Sequence, residues 1–305
     1  MSTSESNPVA QRLQELKLTL DSEIPYNLDK MFPKLTGWGA AGGIKRKVKL
    51  VRQIESRLKE MLRPNEQVLF VAKGVQYSLG EQYFMGAWAA LINQTVFVLT
   101  NVRLLMLRTN TKGRPQHTFW MIYYSQIEKF KANWTGTVVV KLRDRKTLKF
   151  TGFPKLDRQQ MPRVFEDALE AYRQMGFDPE VSQSQETLCG YCMERVPKAE
   201  YTCEHCGAEF WHPKTVALRS LVFPSWGDFI MGHTGIACME LLGYVFMWCM
   251  ILVIVMGAKG AGDLPSALGI SAMMLFFSHV PDACLTYFIA KKGLYPKRKP
   301  QVIDQ

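Results

Sequence analysis

Charge is missing from two long stretches of this 305-residue chain: residues 241–258 and 264–281 hold no Asp, Glu, Lys or Arg, and five residues separate them. A bilayer-crossing helix takes about 20 mostly apolar residues, so the pair predicts a membrane hairpin. The alternative, an apolar helical hairpin buried in a soluble core, asks that core to hide two charge-free runs. An N-terminal apolar run is also lacking: the first 25 residues are polar, with no apolar core before a small-residue cleavage site, so no signal peptide is expected. Catalytic signatures are lacking throughout. The glycine-rich run 37–43 is followed by Lys45 but has neither the Gly-Lys-Ser/Thr ending nor the preceding strand of a phosphate loop, and is expected to be a flexible hinge. Acidic residues are outnumbered, 27 Asp and Glu against 38 Lys and Arg, for a net charge of +11. The mean hydropathy of -0.08 averages a polar N-terminal part with an apolar C-terminal one.

Lys and Arg tend to stay on the cytoplasmic side of a membrane. Lys291, Lys292, Lys297, Arg298 and Lys299 follow the second apolar run, whereas the loop between the runs holds Lys259 against Asp263. Both termini are therefore expected in the cytoplasm, in an integral membrane protein of a bacterial cytoplasmic membrane.

Of the seven cysteines, four form a set: Cys189 and Cys192, then Cys203 and Cys206. Two Cys-x-x-Cys hooks can offer four thiolates to one tetrahedral ion, the closed shell of a structural zinc site. Two disulfides are the rival reading, disfavoured in a reducing cytosol. The spacing resembles the zinc-ribbon family over residues 187–213, with Gly190 and Glu204 where many ribbons carry Pro. That resemblance implies Zn2+ held by protein alone, for folding and not for chemistry. His205 and His212 lie nearby as alternative ligands or as exposed loop residues.

Residues 64–178 carry serial short β-rich runs at 95–100, 102–108, 118–125, 137–143 and 147–153, separated by turn signals. Val164, Phe165, Ala168, Leu169 and Tyr172 then follow helical spacing. This order, with Leu99, Thr100, Asn101, Arg103 and Leu104 reading Leu-Thr-Asn-x-Arg-Leu, resembles the bacterial pleckstrin-homology-like domain. Serial short strands fit an antiparallel β-barrel or sandwich, with the helix after them in the order expected of one that plugs an open barrel end; the resemblance implies a scaffold for peptide, lipid headgroup or another domain, and no catalysis. The apolar insertion 83–92 departs from the family and is read as covering the sheet or touching lipid. Arg103, Lys141, Arg143, Arg145, Lys146 and Lys149 are either an anion site or edge charges that solubilise the barrel.

Residues 1–63 read as an N-terminal helical region. Val9, Leu13, Leu16 and Leu20 give one stripe, and Ile44, Val48, Val51, Ile54, Leu58 and Leu62 a second. The second is interleaved with cations, among them Lys45, Arg46, Lys47, Lys49 and Arg52. Such a helix suits an anionic membrane or a partner's groove, and equally docks its stripe on the barrel with its charge in water.

Residues 221–294, with Phe223-Pro224, Gly227-Asp228-Phe229, Gly232 and Gly235 ahead of the first span and Asp282 in the second, resemble the two-transmembrane-helix domain family. That family's usual opening Arg and Tyr are replaced here by Phe229-Ile230-Met231. Glu240 and Asp282 fall at similar depth in an antiparallel hairpin, and His279 shares a helix face with Asp282. The three form either a polar cluster for a proton, metal or headgroup, or a structural pairing that fixes register. Residues 295–305 read as a basic cytoplasmic tail.

The fold class expected is thus an α+β multidomain membrane protein: a PH-like antiparallel β-barrel with capping helix, a small zinc ribbon and a C-terminal transmembrane helical hairpin. The function expected is cytoplasm-facing binding or scaffolding, not enzymatic, recruiting a protein partner or sensing the lipid bilayer. A nucleic-acid-associated membrane protein is the alternative, given the pI of 9.3. An intramembrane enzyme using Glu240, His279 and Asp282 is a second. Gly232, Gly235 and Gly243 permit close helix approach and so a homo-oligomer.

Overall fold

The computed structural model describes residues 7–76, 81, 83, 85–258, 260 and 263–300. Lys259, the tail beyond residue 300 and part of the insertion expected at 83–92 lie outside the described residues. The chain divides into two compact units, Met1–Cys206 and Gly207–Gln305.

In the first unit, β1 (Val68–Val75), β2 (Gln94–Thr100), β3 (Arg103–Thr109) and β4 (Pro115–Tyr123) form an antiparallel meander. A second meander follows, of β5 (Ile127–Ala132), β6 (Val138–Leu142) and β7 (Thr147–Phe150). Val75 and Thr151 exchange backbone hydrogen bonds of 2.8 and 3.0 Å, joining the two sheets at one corner.

Three helices precede the first sheet: α1 (Pro8–Glu15), α2 (Leu28–Met31) and α3 (Ala40–Met61). A short helix, α4 (Ala87–Ile92), occupies the described end of the apolar insertion, with Ala89 and Ile92 buried and Trp88 and Leu91 exposed. After the second sheet comes α5 (Lys155–Gln174).

Strands β2 and β3 read as almost unbroken apolar runs because both faces of their sheet are covered. Successive side chains alternate between faces. Phe97, Leu99, Leu104 and Met106 join a core with Phe130, Val140 and Phe150 of the second sheet and Met161, Val164, Phe165, Ala168 and Tyr172 of α5. Val96, Val98, Leu105 and Leu107 face the other way, onto Ile44, Val48, Val51, Ile54 and Leu58 of α3 and Val9 and Leu13 of α1. Phe165 stacks on Phe130 at 4.8 Å.

The basic helix α3 therefore docks its apolar stripe on the sheet. Magnitudes explain the choice: each buried aliphatic side chain contributes about 1.5–3 kcal/mol, while an exposed ion pair contributes ~0–1 kcal/mol. The helix starts earlier than its stripe suggests. Gly39 takes φ 77° as its N-cap, and residues 40–43 form the first turn, so most of the expected flexible hinge is helical.

The expected boundaries shift at the cysteines. β8 (Glu186–Leu188) pairs with β4, and β9 (Arg195–Val196) with β8, extending the first sheet to the order β1-β2-β3-β4-β8-β9. The first cysteine hook is thus an extension of the sheet and not a free-standing module, because the main-chain groups of β4 would otherwise lack partners along that edge.

The second unit holds β10 (Glu209–Phe210), α6 (Pro213–Val222), α7 (Trp226–Met231), α8 (Thr234–Gly257), α9 (Asp263–Ala290) and β11 (Pro296–Arg298). Within the expected tail, Pro296–Arg298 forms β11, which pairs with β10 and brings Lys297 to 3.0 Å from Glu209. Helices α8 and α9 are long and apolar enough to cross a membrane, and the apolar windows of the two are only 6% and 11% buried. Neither helix is therefore covered by the rest of this chain.

Helix α6 packs on α9 through small contacts. Gly227 donates its N–H to Ser220 Oγ at 2.9 Å, and a Cβ at Gly227 would fall 2.4 Å from Thr286 Cγ2 and 2.5 Å from Ser220 Oγ. Gly227→Ala is expected to destabilise this packing by about 1–3 kcal/mol, the usual cost of overfilling a tight contact. Thermal melting of the detergent-solubilised chain checks it, with Gly243→Ala as a control expected to melt unchanged, since nothing lies within 4 Å of a Cβ there.

Candidate functional site

Three constellations of side chains concentrate the chemistry. The first is the cysteine set. Cys189 Sγ lies 3.6 Å from Cys206 Sγ, Cys192 Sγ lies 3.5 Å from Cys203 Sγ, and all four sulfurs fall within 4.8 Å of one another. A tetrahedral zinc with Zn–S of about 2.3 Å requires sulfurs roughly 3.8 Å apart, so the set fits a four-thiolate metal site with little movement.

The electrostatics suit a cation. Burial above all pushes the Cys189 thiol up to about 11, aided by its thiol neighbours Cys206 and Cys203. Burial likewise pushes up Cys192. At Cys203 burial acts in the same direction but is outweighed by the Cys206 N–H, the Cys192 thiol and the His205 N–H, so its pKa is lowered. A divalent ion at the centre of the four sulfurs would favour loss of their protons.

Gly190 explains its departure from the ribbon pattern. A Cβ there would sit 2.6 Å from the His117 carbonyl of β4, leaving no room for a Pro ring. His205 is exposed, and His212 caps α6 by accepting from the Lys214 N–H at 3.3 Å.

The second constellation is a cleft of about 840 Å³ in the first unit. Its walls come from α3, the segment 31–40 before it, β1, the β3–β4 loop and the start of α5. Arg46, Lys47 and Lys49 of α3 line it together with Lys34, Lys73, Lys112 and Lys155, against a single acid, Asp157. Its apolar lining includes Phe32, Ile44, Leu50 and Leu156, and Trp38, 98% exposed, stands at its rim.

Some of this charge is already used. Lys47 lies over the Phe70 ring at 3.8 Å and pairs with Asp157 at 2.8 Å; burial is the main influence and lowers its pKa, while Asp157 pulls the other way. Lys73 donates to the Thr111 carbonyl at 2.9 Å and Lys34 to the Trp38 carbonyl at 3.3 Å. Arg46, Lys49, Lys112 and Lys155 make no side-chain hydrogen bond or ion pair among the described residues. The α3 N-terminus adds open donors, because Gly39 has no side-chain cap and the N–H groups of Ala41 and Gly42 bond no carbonyl among the described residues.

This geometry sorts the cations that the sequence proposed for lipid. Arg46, Lys47 and Lys49 line the cleft, and Lys45 is exposed outside it. Arg52 is exposed and holds the Thr19 carbonyl at 2.9 Å and hydroxyl at 2.8 Å. Arg103 is a correction: it is 3% exposed and forks onto Glu66, with Nε at 2.9 Å from Oε1 and an Nη at 2.8 Å from Oε2. Lys141 pairs with Glu128 at 2.6 Å and Lys146 with Asp144 at 3.3 Å. Lys34, Lys73, Lys112 and Lys155 escaped sequence reasoning because they are scattered along the chain and meet only in the fold.

The third constellation sits in the second unit. Asp228, Glu240 and Asp282 bring carboxylate oxygens within 4.8 Å of one another. Asp228 takes the place expected for His279, whose Nδ1 instead lies 2.7 Å from the Leu221 carbonyl. His233 Nδ1 lies 2.9 Å from Asp228 Oδ1, and the Ser225 N–H reaches Asp282 Oδ2 at 3.3 Å. An acidic residue in Gly227-Asp228-Phe229, amid apolar neighbours, was the available signal for Asp228.

No family model matches this chain, and no curated protein matches it. Among solved structures, the C-terminal domain of an unknown protein from Leishmania infantum is similar over 43% of this chain and 95% of its own, with 15% identity and a TM-score of 0.25. The linker-DH/PH domains of p115-RhoGEF are similar over 43% of each chain, with 9% identity and a TM-score of 0.28. An N-terminally truncated form of the same domains gives 9% identity, 43% of this chain, 44% of that one and a TM-score of 0.28.

Proposed function

We propose that this chain is a membrane-anchored binding or scaffolding protein whose cytoplasm-facing first unit engages anionic lipid or recruits a protein partner. In this reading the first unit is PH-like, two meanders and a helix, with the N-terminal helices and the cysteine hooks as additions. Helices α8 and α9 are the anchor, in a bacterial cytoplasmic membrane, and the cations after α9 support cytoplasmic termini. The cysteines hold structural Zn2+.

The observation that carries the reading is the basic cleft. Seven cations against one acid select for negative charge, and the apolar floor suits a ligand with a hydrocarbon part. Excess charge spread along a nucleic-acid track would favour the alternative partner, but here it gathers around a concave apolar site.

The test uses full-length chain in nanodiscs of neutral lipid, titrated with short-chain phosphatidic acid and followed by tryptophan emission. Each cation near an anionic headgroup contributes about 1 kcal/mol, so Arg46→Ala with Lys49→Ala is expected to weaken binding about 30-fold. Trp38→Phe should remove most of the signal while leaving retention of the ligand intact. Equal binding by the double variant rejects the cleft, and a salt-sensitive shift of DNA by the same preparation would favour nucleic acid.

A further inference from the structure

Like charges crowded together in a dry site need a counter-charge or a proton. Asp228 is 3% exposed, and its carboxylate lies within 4.8 Å of those of Glu240 and Asp282. Among the described residues no Lys or Arg forms an ion pair with any of the three; His233 pairs with Asp228, and His279 is near enough to Asp282 to act on its charge. Two further atoms are left over: Glu240 Oε2 and Ser225 Oγ are buried without a hydrogen-bond partner, and Ser225 is fully buried. Ser225 stands at the rim of the cluster, its N–H on Asp282 and its side chain beside Glu240. A buried hydroxyl without a partner costs about 1–3 kcal/mol, and its oxygen is the ligand type that the carboxylates also offer.

We propose that Asp228, Glu240, Asp282 and Ser225 Oγ form a binding site for a hard divalent cation of the Mg2+, Mn2+ or Ca2+ class. All four donors are oxygens, which select this class over zinc. Oxygens on opposite sides of Ca2+ stand about 4.6–5.2 Å apart, so three carboxylate oxygens within 4.8 Å of one another can share one ion. His233 acts from behind: its ring nitrogen fixes the Asp228 carboxylate, as an outer-shell partner does in metal sites. Glu240 comes from α8, Asp282 from α9 and Asp228 from α7, so the ion ties three helices together. The site is separate from the cleft and from the cysteines, and it stands whether or not the cleft binds lipid.

The experiment takes purified full-length chain in detergent, with zinc retained and counted by elemental analysis, and titrates Mn2+ by electron paramagnetic resonance. About one tightly held Mn2+ per chain, displaced by Ca2+ or Mg2+, is the expected result. Asp282→Asn with Glu240→Gln should abolish it. Ser225→Ala keeps all three carboxylates and should weaken Mn2+ roughly tenfold, so it decides the matter even if the double variant fails to fold. Absence of bound Mn2+ in the wild type, with Ca2+ and Mg2+ giving no thermal shift, would mean that protons hold the cluster and overturns the proposal. Undiminished Mn2+ in Ser225→Ala, or in a folded double variant, overturns it equally.

Discussion

Stripping the zinc proposed for the cysteine set is expected to release the segment 181–206 from the sheet while the rest of the first unit stays folded. Structural zinc sites contribute about 10–16 kcal/mol of apparent binding free energy in isolated fingers, far more than the two short strands β8 and β9 can supply alone. Without metal the segment is tied to the rest of the unit by the short ladder to β4, the Ser184 hydroxyl on Gln126 at 3.3 Å and an Arg195 Nη on the Glu180 carbonyl at 2.7 Å, while Ser182 with Glu186 and the Cys189 N–H to the Glu194 carbonyl at 2.8 Å are bonds within it. The two large cores do not depend on it, since only Leu188 among its residues enters one as a buried member. The wild-type chain should therefore carry about one zinc per molecule, and Cys203→Ser with Cys206→Ser should carry none. Limited proteolysis should then cut between 186 and 206 at least ten times faster, the least that a loss of more than ~1.4 kcal/mol of local protection allows. An unchanged cleavage pattern after chelation would show that the hooks hold without an ion.

Glu66→Ala is expected to lower the stability of the first unit by about 3–5 kcal/mol, because it strands a buried guanidinium. Arg103 is locked in place: an Nη donates to the Met61 carbonyl at 2.7 Å and the fork grips Glu66, which also accepts from the Thr100 hydroxyl at 2.7 Å. Thr100 Oγ accepts from the Arg103 N–H at 3.1 Å, and Asn101 accepts from the Gln67 N–H at 2.9 Å. The Leu-Thr-Asn-x-Arg-Leu hairpin is therefore a clamp on the chain entering β1. At about 2–4 °C per kcal/mol for a unit of this size, melting should fall by roughly 10 °C. Glu66→Leu combined with Arg103→Met should recover most of the loss, since an apolar pair of similar volume replaces a buried ion pair at little cost. If Glu66→Ala melts like the wild type, the clamp is not what holds the hairpin.

Local pattern made much of this architecture legible. Period-2 and period-3.6 apolar spacing located β2, β3, β4 and α5, and the paired Cys-x-x-Cys hooks located the sulfur cluster, because each is written in neighbouring residues. What escaped depends on partners far along the chain. Strand β1 is as apolar as β2, yet it stood unremarked without its turn signals, and β11 becomes a strand only because β10 lies beside it. Gly42 and Gly43 suggested flexibility, although a helix with a deeply buried stripe from Ile44 to Met61 overrides the cost of two glycines, about 1 kcal/mol each. Arg103 looked like a ligand for anions because its charge is visible in sequence and its burial beside Glu66 is not.

The pairing of β8 with β4 carries one more consequence, for colloidal behaviour. Phe119, Trp120 and Met121 are matched there to Leu188, Thr187 and Glu186. If β8 leaves, three residues of large apolar character present bare amide and carbonyl groups to solvent, the template on which strands of separate molecules join. Metal starvation should therefore convert the protein from a dispersed species into one that self-associates through its sheet edge, before its main cores melt.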